Sequence, residues 1–330
     1  MSRPLAILLL LICTSLWGFA FVVQKSAMET MGPLTFMGVR YLLGGIVILP
    51  VALAMARRAP QRLTRRQWWF VGGMSLALML GSWLQQVGLM TTTVTNGGFL
   101  TSLYVLFVPL IGLVAFRAWP HPIVWLGVPL ALVGIYYLNG GGLDRLNSGD
   151  ALVVGGAVFW AIQVIMLGFI ARTTGQPILV SCVSFLLAGG AALILALLWE
   201  APTLAGIMGG WEEIAYAGIF STAIAFTLQA VGQQHVPSAN AAIILSSESL
   251  FAAIGGAIFM GDRLPAVGYA GATLLFAAIV MVEALPPMLA RRGNRLGEVE
   301  YTKSYLKPWV LHFKDALIGE DPTDVERVML

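Results

Sequence analysis

The chain has 330 residues, of which 58% are hydrophobic and only 11% charged, with a mean hydropathy of +0.84 and a formal net charge of +3 at pH 7. A soluble chain carries about a quarter charged residues, so the polar surface here is too small to cover a water-soluble core, and lipid must be the solvent for most of the molecule. The basic excess is what a cytoplasmic membrane face requires and gives no ground for a nucleic-acid partner, while the two cysteines, Cys13 and Cys182, lie in apolar runs and point to neither a disulfide frame nor a metal site.

Breaks in the apolar pattern predict ten helices, near residues 5–25, 33–56, 68–90, 94–116, 121–138, 149–171, 177–199, 211–232, 238–260 and 265–284. Each is roughly 17–25 residues long and able to cross ~30 Å of hydrocarbon. The first continues through Trp17 to Gln24 and Lys25 without a small-residue cleavage pattern, so it is expected to be retained as a helix. The second holds Arg40 about a third of the way in from its predicted outer end. The third carries Trp83, Gln85 and Gln86, the fourth Asn96, Ser102 and Tyr104, the sixth Trp160 and Gln163. The eighth brings Gln229 and the ninth Asn240, Ser246 and, about midway along, Glu248. After Pro286 and Pro287 the chain turns polar; Pro308, Trp309, Phe313 and Leu317 fit one short amphipathic helix on the inner surface or a disordered tail.

Loop charge sets the orientation. With the N-terminus inside, inner segments hold Arg3, Arg57, Arg58, Arg62, Arg65, Arg66, Arg117, Arg172, Arg291, Arg292 and Arg295, whereas outer segments hold only Lys25, Arg145 and Arg263 among basic residues, beside Glu29, Asp144, Glu200, Glu212 and Glu213. This bias predicts that both termini are cytoplasmic.

The chain is also a duplication. Leu84 and Gln85 return as Leu228 and Gln229, Gly88 as Gly232, Asn96 as Asn240, Ser102 as Ser246, Leu106 and Phe107 as Leu250 and Phe251, and Gly112 as Gly256, each pair 144 positions apart. The offset extends to Pro33 and Pro177, Gly45 and Gly189, and Gly127 and Gly271; only the first helix needs a shift, since Trp17 pairs with Trp160 143 positions on. Five helices per unit is an odd number, so the second unit must enter the membrane from the opposite side. The predicted fold is therefore an all-α membrane protein of ten transmembrane helices in two inverted five-helix repeats, residues 1–139 and 140–287, followed by a cytoplasmic tail, 288–330. Inverted repeats create a shared path near the bilayer midplane, although a packed scaffold without transport is the plainer alternative.

Several motifs carry a family resemblance. Leu16-Trp17-Gly18-Phe19, Lys25, Pro33 and Arg40-Tyr41-Leu42 resemble the opening pattern of the EamA-type carriers of the drug/metabolite transporter superfamily. Ser246-Ser247-Glu248-Ser249-Leu250-Phe251-Ala252-Ala253, with Met260-Gly261-Asp262-Arg263-Leu264, resembles their ninth helix and its exit loop, and the last helix through Gly268, Gly271 and Ala272 is similar too. Asp262 stands where Glu is usual and Ser249 where Pro is frequent. Covering roughly residues 5–285, the resemblance implies ten helices in two EamA halves and transport of a small metabolite; the nearest likeness, to YddG-like amino-acid exporters, implies neutral and aromatic amino acids.

Polar groups in lipid are costly unless they face protein or water, an unpaired charge at a helix centre by about 2.5–3.5 kcal/mol. Arg40 is either a gate or substrate contact or a structural charge bonded to a partner or a helix end. Glu248 is open to the same two readings. The amides and hydroxyls Gln85, Asn96, Tyr104, Gln229, Asn240 and Ser246 suit both an ammonium and a carboxylate, and their placement at equivalent repeat positions favours a substrate path over interhelical bonding; Gln24 and Gln163 lie on the same helices as Trp17 and Trp160. Trp17 and Trp160 would supply flat apolar walls, as would Trp83. Catalysis is disfavoured: Asp150 and Asp262 fall at predicted helix ends, His121, His235 and His312 are scattered, and neither a zinc nor a phosphate-loop motif occurs. The expected protein is a monomeric carrier without cofactor, moving a small neutral amino acid down its gradient; a proton-coupled exporter of lipophilic cations anchored on Glu248 is the alternative.

Overall fold

The computed structural model describes residues 1–116, 120–138, 141, 147–261, 263 and 266–292. The expected tail helix, the Asp144 loop, Asp262 and His312 lie outside the described residues. Among the described residues every regular element is helical. In chain order these are α1 (Arg3–Ala27), α2 (Pro33–Arg58), α3 (Arg65–Leu89), α4 (Val94–Thr101), α5 (Tyr104–Phe116), α6 (Pro122–Leu138), α7 (Ser148–Thr174), α8 (Pro177–Trp199), α9 (Leu204–Gly209) and α10 (Trp211–Ala215). A π-helical stretch, Tyr216–Phe226, then runs into α11 (Thr227–Gly232), followed by α12 (Ser238–Leu245), α13 (Glu248–Phe259) and α14 (Ala266–Arg292). Seven segments among the described residues are long and apolar enough to cross a membrane: Arg3–Ala27, Pro33–Arg58, Val94–Ala115, Ser148–Thr174, Pro177–Trp199, Trp211–Gly232 and Ser238–Phe259. Pro122–Tyr137 and Ala266–Val282 are apolar but shorter; α3 has the length, but its sequence begins Arg65-Arg66-Gln67 and carries Gln85 and Gln86 near its end.

Helix starts follow from local chemistry. Proline in the first turn opens α1, α2 and α8, where its missing N–H has no intrahelical role. Thr64 with Gln67 and Asn147 with Asp150 form reciprocal capping boxes at α3 and α7. Asp150 is therefore a helix cap, bonded also by the Thr92 hydroxyl. At the far end of α7, Gly175 takes φ +62° and its N–H closes on the Ala171 carbonyl at 3.2 Å.

The duplicated positions reappear as duplicated contacts. α2 and α8, related by the 144-residue offset, pack antiparallel: Gly38 meets Leu193, Gly45 meets Leu186, and Gly189 meets Leu42. Gly45 and Gly189 are repeat partners, and so are Leu42 and Leu186, so one contact is made twice with the roles exchanged. Tyr41 and Phe185, also partners, stack with ring centroids 6.0 Å apart and planes 9° from parallel. α6 and α14 likewise run antiparallel, with Gly127 against Val282 and Gly134 against Leu275. The units also exchange partners. Gly88 of α3 sits on Val153 and the Gly149 carbonyl of α7, while Gly232 of α11 sits on Leu10 and the Ala6 carbonyl of α1. Leu10 and Ala6 precede Val153 and Gly149 by 143 positions, the shift that pairs Trp17 with Trp160. Lipid offers no hydrophobic drive between helices, so association depends on such close approach at small residues.

Three expected helices are not regular α-helices throughout. The expected 94–116 helix breaks at Ser102 and Leu103, and the expected 238–260 helix breaks at the equivalent Ser246 and Ser247. At both, i→i+3 bonds replace the α-helical pattern: Val105 to Ser102 and Leu106 to Leu103 at 3.0 Å, then Ser249 to Ser246 at 3.2 Å and Leu250 to Ser247 at 3.0 Å. No proline causes either break; serine hydroxyls bonded back to carbonyls of their own turn accompany the second, as Ser246 to Ile243 at 2.8 Å and Ser247 to Ile244 at 2.7 Å. Within 211–232 the π-helical stretch is the third departure. Irregular backbone at membrane depth is tolerated where it is enclosed by protein or borders a cavity, and both breaks and the end of the π stretch do so.

Candidate functional site

The breaks converge on one cavity between the two units, whose empty space, open solvent included, is about 460 Å³. The first unit lines it with Trp17, Phe21 and Gln24 of α1, Arg40 of α2, Gln85 of α3, Thr101 at the end of α4 and Tyr104 at the start of α5. The second contributes Trp160, Gln163 and Val164 of α7, Ser221 and Phe226 of the π stretch, Gln229 of α11, Leu245 at the end of α12 and Glu248 at the start of α13.

One wall is aromatic. Phe226 meets Trp17 edge-on at 4.6 Å between centroids and stacks against Trp160 at 5.9 Å, with Tyr41 and Phe185 behind it at 6.4 and 5.4 Å. Both indoles are fixed by their N–H groups: Trp17 donates to the Ser221 carbonyl at 3.0 Å and Trp160 to Gln85 Oε1 at 2.8 Å. Rings held in this way present a flat, preorganised apolar face. A polar side complements it. Gln163 and Gln229 exchange long amide contacts of 3.5 and 3.4 Å, and Gln24 accepts at its main-chain carbonyl from Gln86 Nε2 at 2.8 Å.

A basic and an acidic side chain both reach this cavity. Arg40 is 3% exposed; its Nη2 donates to the Tyr41 hydroxyl at 3.2 Å and its guanidinium lies 4.6 Å from the Tyr41 ring centroid and 5.3 Å from that of Phe36. Its Nε has no hydrogen-bond partner. Glu248 is 4% exposed and its Oε1 is unpartnered, as is the Tyr104 hydroxyl, which lies within electrostatic reach of that carboxylate without making a well-formed hydrogen bond. Tyr104 and Glu248 are themselves repeat partners, each the first residue after its helix break. Buried polar atoms without partners are rare because each forfeits its hydration, so these mark where a ligand or water is expected.

Of the residues singled out from sequence, the cavity brings together Trp17, Gln24, Gln85, Tyr104, Trp160, Gln163, Gln229 and Glu248, with Arg40. Asn96 and Asn240 do not line it. Each is the third residue of its short helix, and eight residues separate Asn240 from Glu248, about 12 Å along a helix axis. Ser246 is buried and spends its hydroxyl on Ile243, so it shapes the break without facing the cavity. Trp83 is half-buried against the apolar cluster that holds Tyr41, Phe185 and Phe226 and does not line the cavity. Phe21, Thr101, Val164, Ser221, Phe226 and Leu245 were not anticipated. Apolar residues in a membrane helix give no sign of which face meets a cavity; only Thr101, next to Ser102 and near Tyr104, carried a usable hint.

At the helix ends a second symmetry is visible. Lys25 Nζ donates to the carbonyls of Leu89 at 3.1 Å and Thr92 at 2.6 Å. Arg172 donates from Nε to Gln233 at 2.9 Å and from Nη2 to Val236, the carbonyls 144 positions on. Each unit thus uses a cation of its first helix to hold the turn after its third. His235 lies beside this second clasp, where burial, the chain's N-terminal ammonium and Arg172 all lower its pKa.

Comparison with known proteins agrees with this architecture. The model of the EamA-like transporter family matches residues 4–140 and again 147–284. An uncharacterized transporter of Archaeoglobus fulgidus is 30% identical over 272 residues, covering 81% of this chain and 82% of that protein. The uncharacterized inner membrane transporter YedA of Escherichia coli is 24% identical over 276 residues, 81% of this chain and 87% of its own. The threonine/homoserine exporter RhtA of Salmonella typhimurium is 23% identical over 186 residues, 54% of this chain and 60% of that protein. A solved crystal structure with 17% sequence identity superposes with a TM-score of 0.69 over 88% of this chain and 99% of that one, a likeness of fold.

Proposed function

Because the chain belongs to the EamA-like transporter family and is a multi-pass inner-membrane transporter rather than an enzyme, we propose that it carries small neutral amino acids, aromatic ones among them, by alternating access. The observation that carries this reading is the cavity itself: an aromatic wall of Trp17, Phe226 and Trp160, amides from both units, and one buried charge of each sign. A zwitterion with an apolar side chain needs all three features. RhtA bears the name of an amino-acid exporter, which is compatible with that substrate class.

The proposal includes the membrane arrangement. Residues 1–139 and 140–287 form two inverted repeats of five spans each, followed by the 288–330 tail, with both termini cytoplasmic and the chain acting as a monomer. The antiparallel, role-exchanging contacts of α2 with α8 and α6 with α14 support the inversion, since a two-fold rotation that reverses helix direction lies in the membrane plane. Repeats related in this way exchange conformations to open one side and then the other. With Glu248 as the one acidic residue among those lining the cavity, transport is facilitated diffusion, experienced by a producing cell as export.

The alternative, a proton-coupled exporter of lipophilic cations, would also use Glu248. Arg40 in the same cavity opposes it, because a cation entering a low-dielectric site would meet a fixed like charge. Counterflow in proteoliposomes, with amino acids, nucleosides and lipophilic cations as competitors, tests the assignment. Exchange of neutral amino acids is expected; exchange confined to cations would replace it with the alternative.

A further inference from the structure

Arg40 and Glu248, a base and an acid, are buried in one cavity, yet no ion pair joins them among the described residues, and each retains an unpartnered atom. Burying charges of opposite sign without pairing them is costly unless something between them completes the pair. Arg40 is only half satisfied: one Nη2 bond to a neutral phenol and two ring faces hold the guanidinium in place and leave Nε free. An anchored guanidinium with a free N–H is set up for a carboxylate. The carboxylate of Glu248 opens α13, with the phenol of Tyr104 nearby as an uncommitted hydroxyl.

Resting on the amino-acid reading above, we propose that these residues form a two-point clamp in which Arg40 receives the α-carboxylate of the substrate and Glu248 its α-ammonium, with the side chain laid against Trp17, Phe226 and Trp160. The two ligating residues come from opposite units, one on α2 and one at the break before α13, so a bound zwitterion bridges the parts that move. A molecule bearing only one of the two charges leaves the other buried residue unpaired, and a site built this way rejects an analogue lacking one group far more strongly than it rejects a change of side chain. Specificity is then for the α-amino-acid backbone, with tolerance among apolar side chains.

Proteoliposome counterflow of radiolabelled phenylalanine tests the clamp, with phenylalanine, phenethylamine and 3-phenylpropionate as competitors. In the wild type, each single-charge analogue is expected to need at least about tenfold more than phenylalanine for half inhibition. Glu248→Gln should weaken phenylalanine and phenethylamine while narrowing the penalty against 3-phenylpropionate several-fold; Arg40→Gln should do the converse for phenethylamine. Glu248→Asp and Arg40→Lys, which keep charge, should retain the wild-type order and guard against misfolding of the neutral variants. Equal inhibition by all three competitors in the wild type, or uniform weakening by both neutral substitutions, overturns the clamp while leaving an amino-acid carrier. Absence of exchange with any amino acid overturns the underlying reading and the clamp with it.

Discussion

The Ser102 hydroxyl donates to the main-chain carbonyl of Ser246 at 3.2 Å, and these residues are repeat partners 144 positions apart. Equivalent points of the two units therefore touch where both helices break, beside Tyr104 and Glu248. A hydrogen bond between membrane helices contributes about 0.6 kcal/mol on average, so Ser102→Ala should lower the thermal midpoint in detergent only slightly. Ser102→Leu adds bulk at a fully buried crossing and should lower the midpoint and maximal exchange much more, measured side by side in one detergent.

Adjacent glycines on α8 give a sharper packing test. A Cβ on Gly189 would lie 2.9 Å from the Leu42 nitrogen, 3.0 Å from Tyr41 Cβ and 3.1 Å from the Gly38 carbonyl, whereas one on Gly190 meets nothing within 4 Å. Gly189→Ala forces α2 and α8 apart and should cost about 1–3 kcal/mol. Gly190→Ala should instead stabilise by up to about 1 kcal/mol through helix propensity. Thermal midpoints moving in opposite directions are the expected result.

The matched clasps of Lys25 and Arg172 hold equivalent carbonyls in the two units. Neither lines the cavity, so Lys25→Met and Arg172→Met should each lower maximal flux several-fold while changing the half-saturation concentration less than about twofold. Initial exchange rates over a range of substrate concentrations separate the two effects.

For the proposed carrier, energy coupling is tested at Glu248. For a facilitator, Glu248→Gln retains shape and hydrogen bonding, so exchange at saturating substrate should persist, with weaker apparent affinity. An imposed pH gradient should drive no uphill accumulation by the wild type. Accumulation above equilibrium that Glu248→Gln abolishes would make Glu248 a coupling site.

Orientation is open to labelling because Cys13 and Cys182 are both buried. A cysteine in place of exposed Glu29 should react with an impermeant maleimide added outside intact cells. One in place of exposed Arg62 should react only after the membrane is opened.

Composition and the 144-residue offset made the membrane helices, the duplication and most of the amide and tryptophan cavity residues legible, because a hydrophobic span and a repeated residue are properties of the chain read along its length. Gln85 and Gln229 lie on the cavity, as did Trp17 and Trp160. Asn96 and Asn240 repeat just as faithfully yet lie a helix turn or more away, since equivalence fixes which positions correspond but not how deep they sit. The breaks at Ser102 and Ser246 and the π-helical stretch were invisible for a related reason: no proline marks them, and their backbone is held by contacts between distant segments. Phe21, Val164, Phe226 and Leu245 show the limit most plainly. In a soluble protein an apolar side chain announces an inward face, but lipid, helix interface and cavity wall all accept the same apolar residue, so only the tertiary arrangement decided which of them meets the cavity.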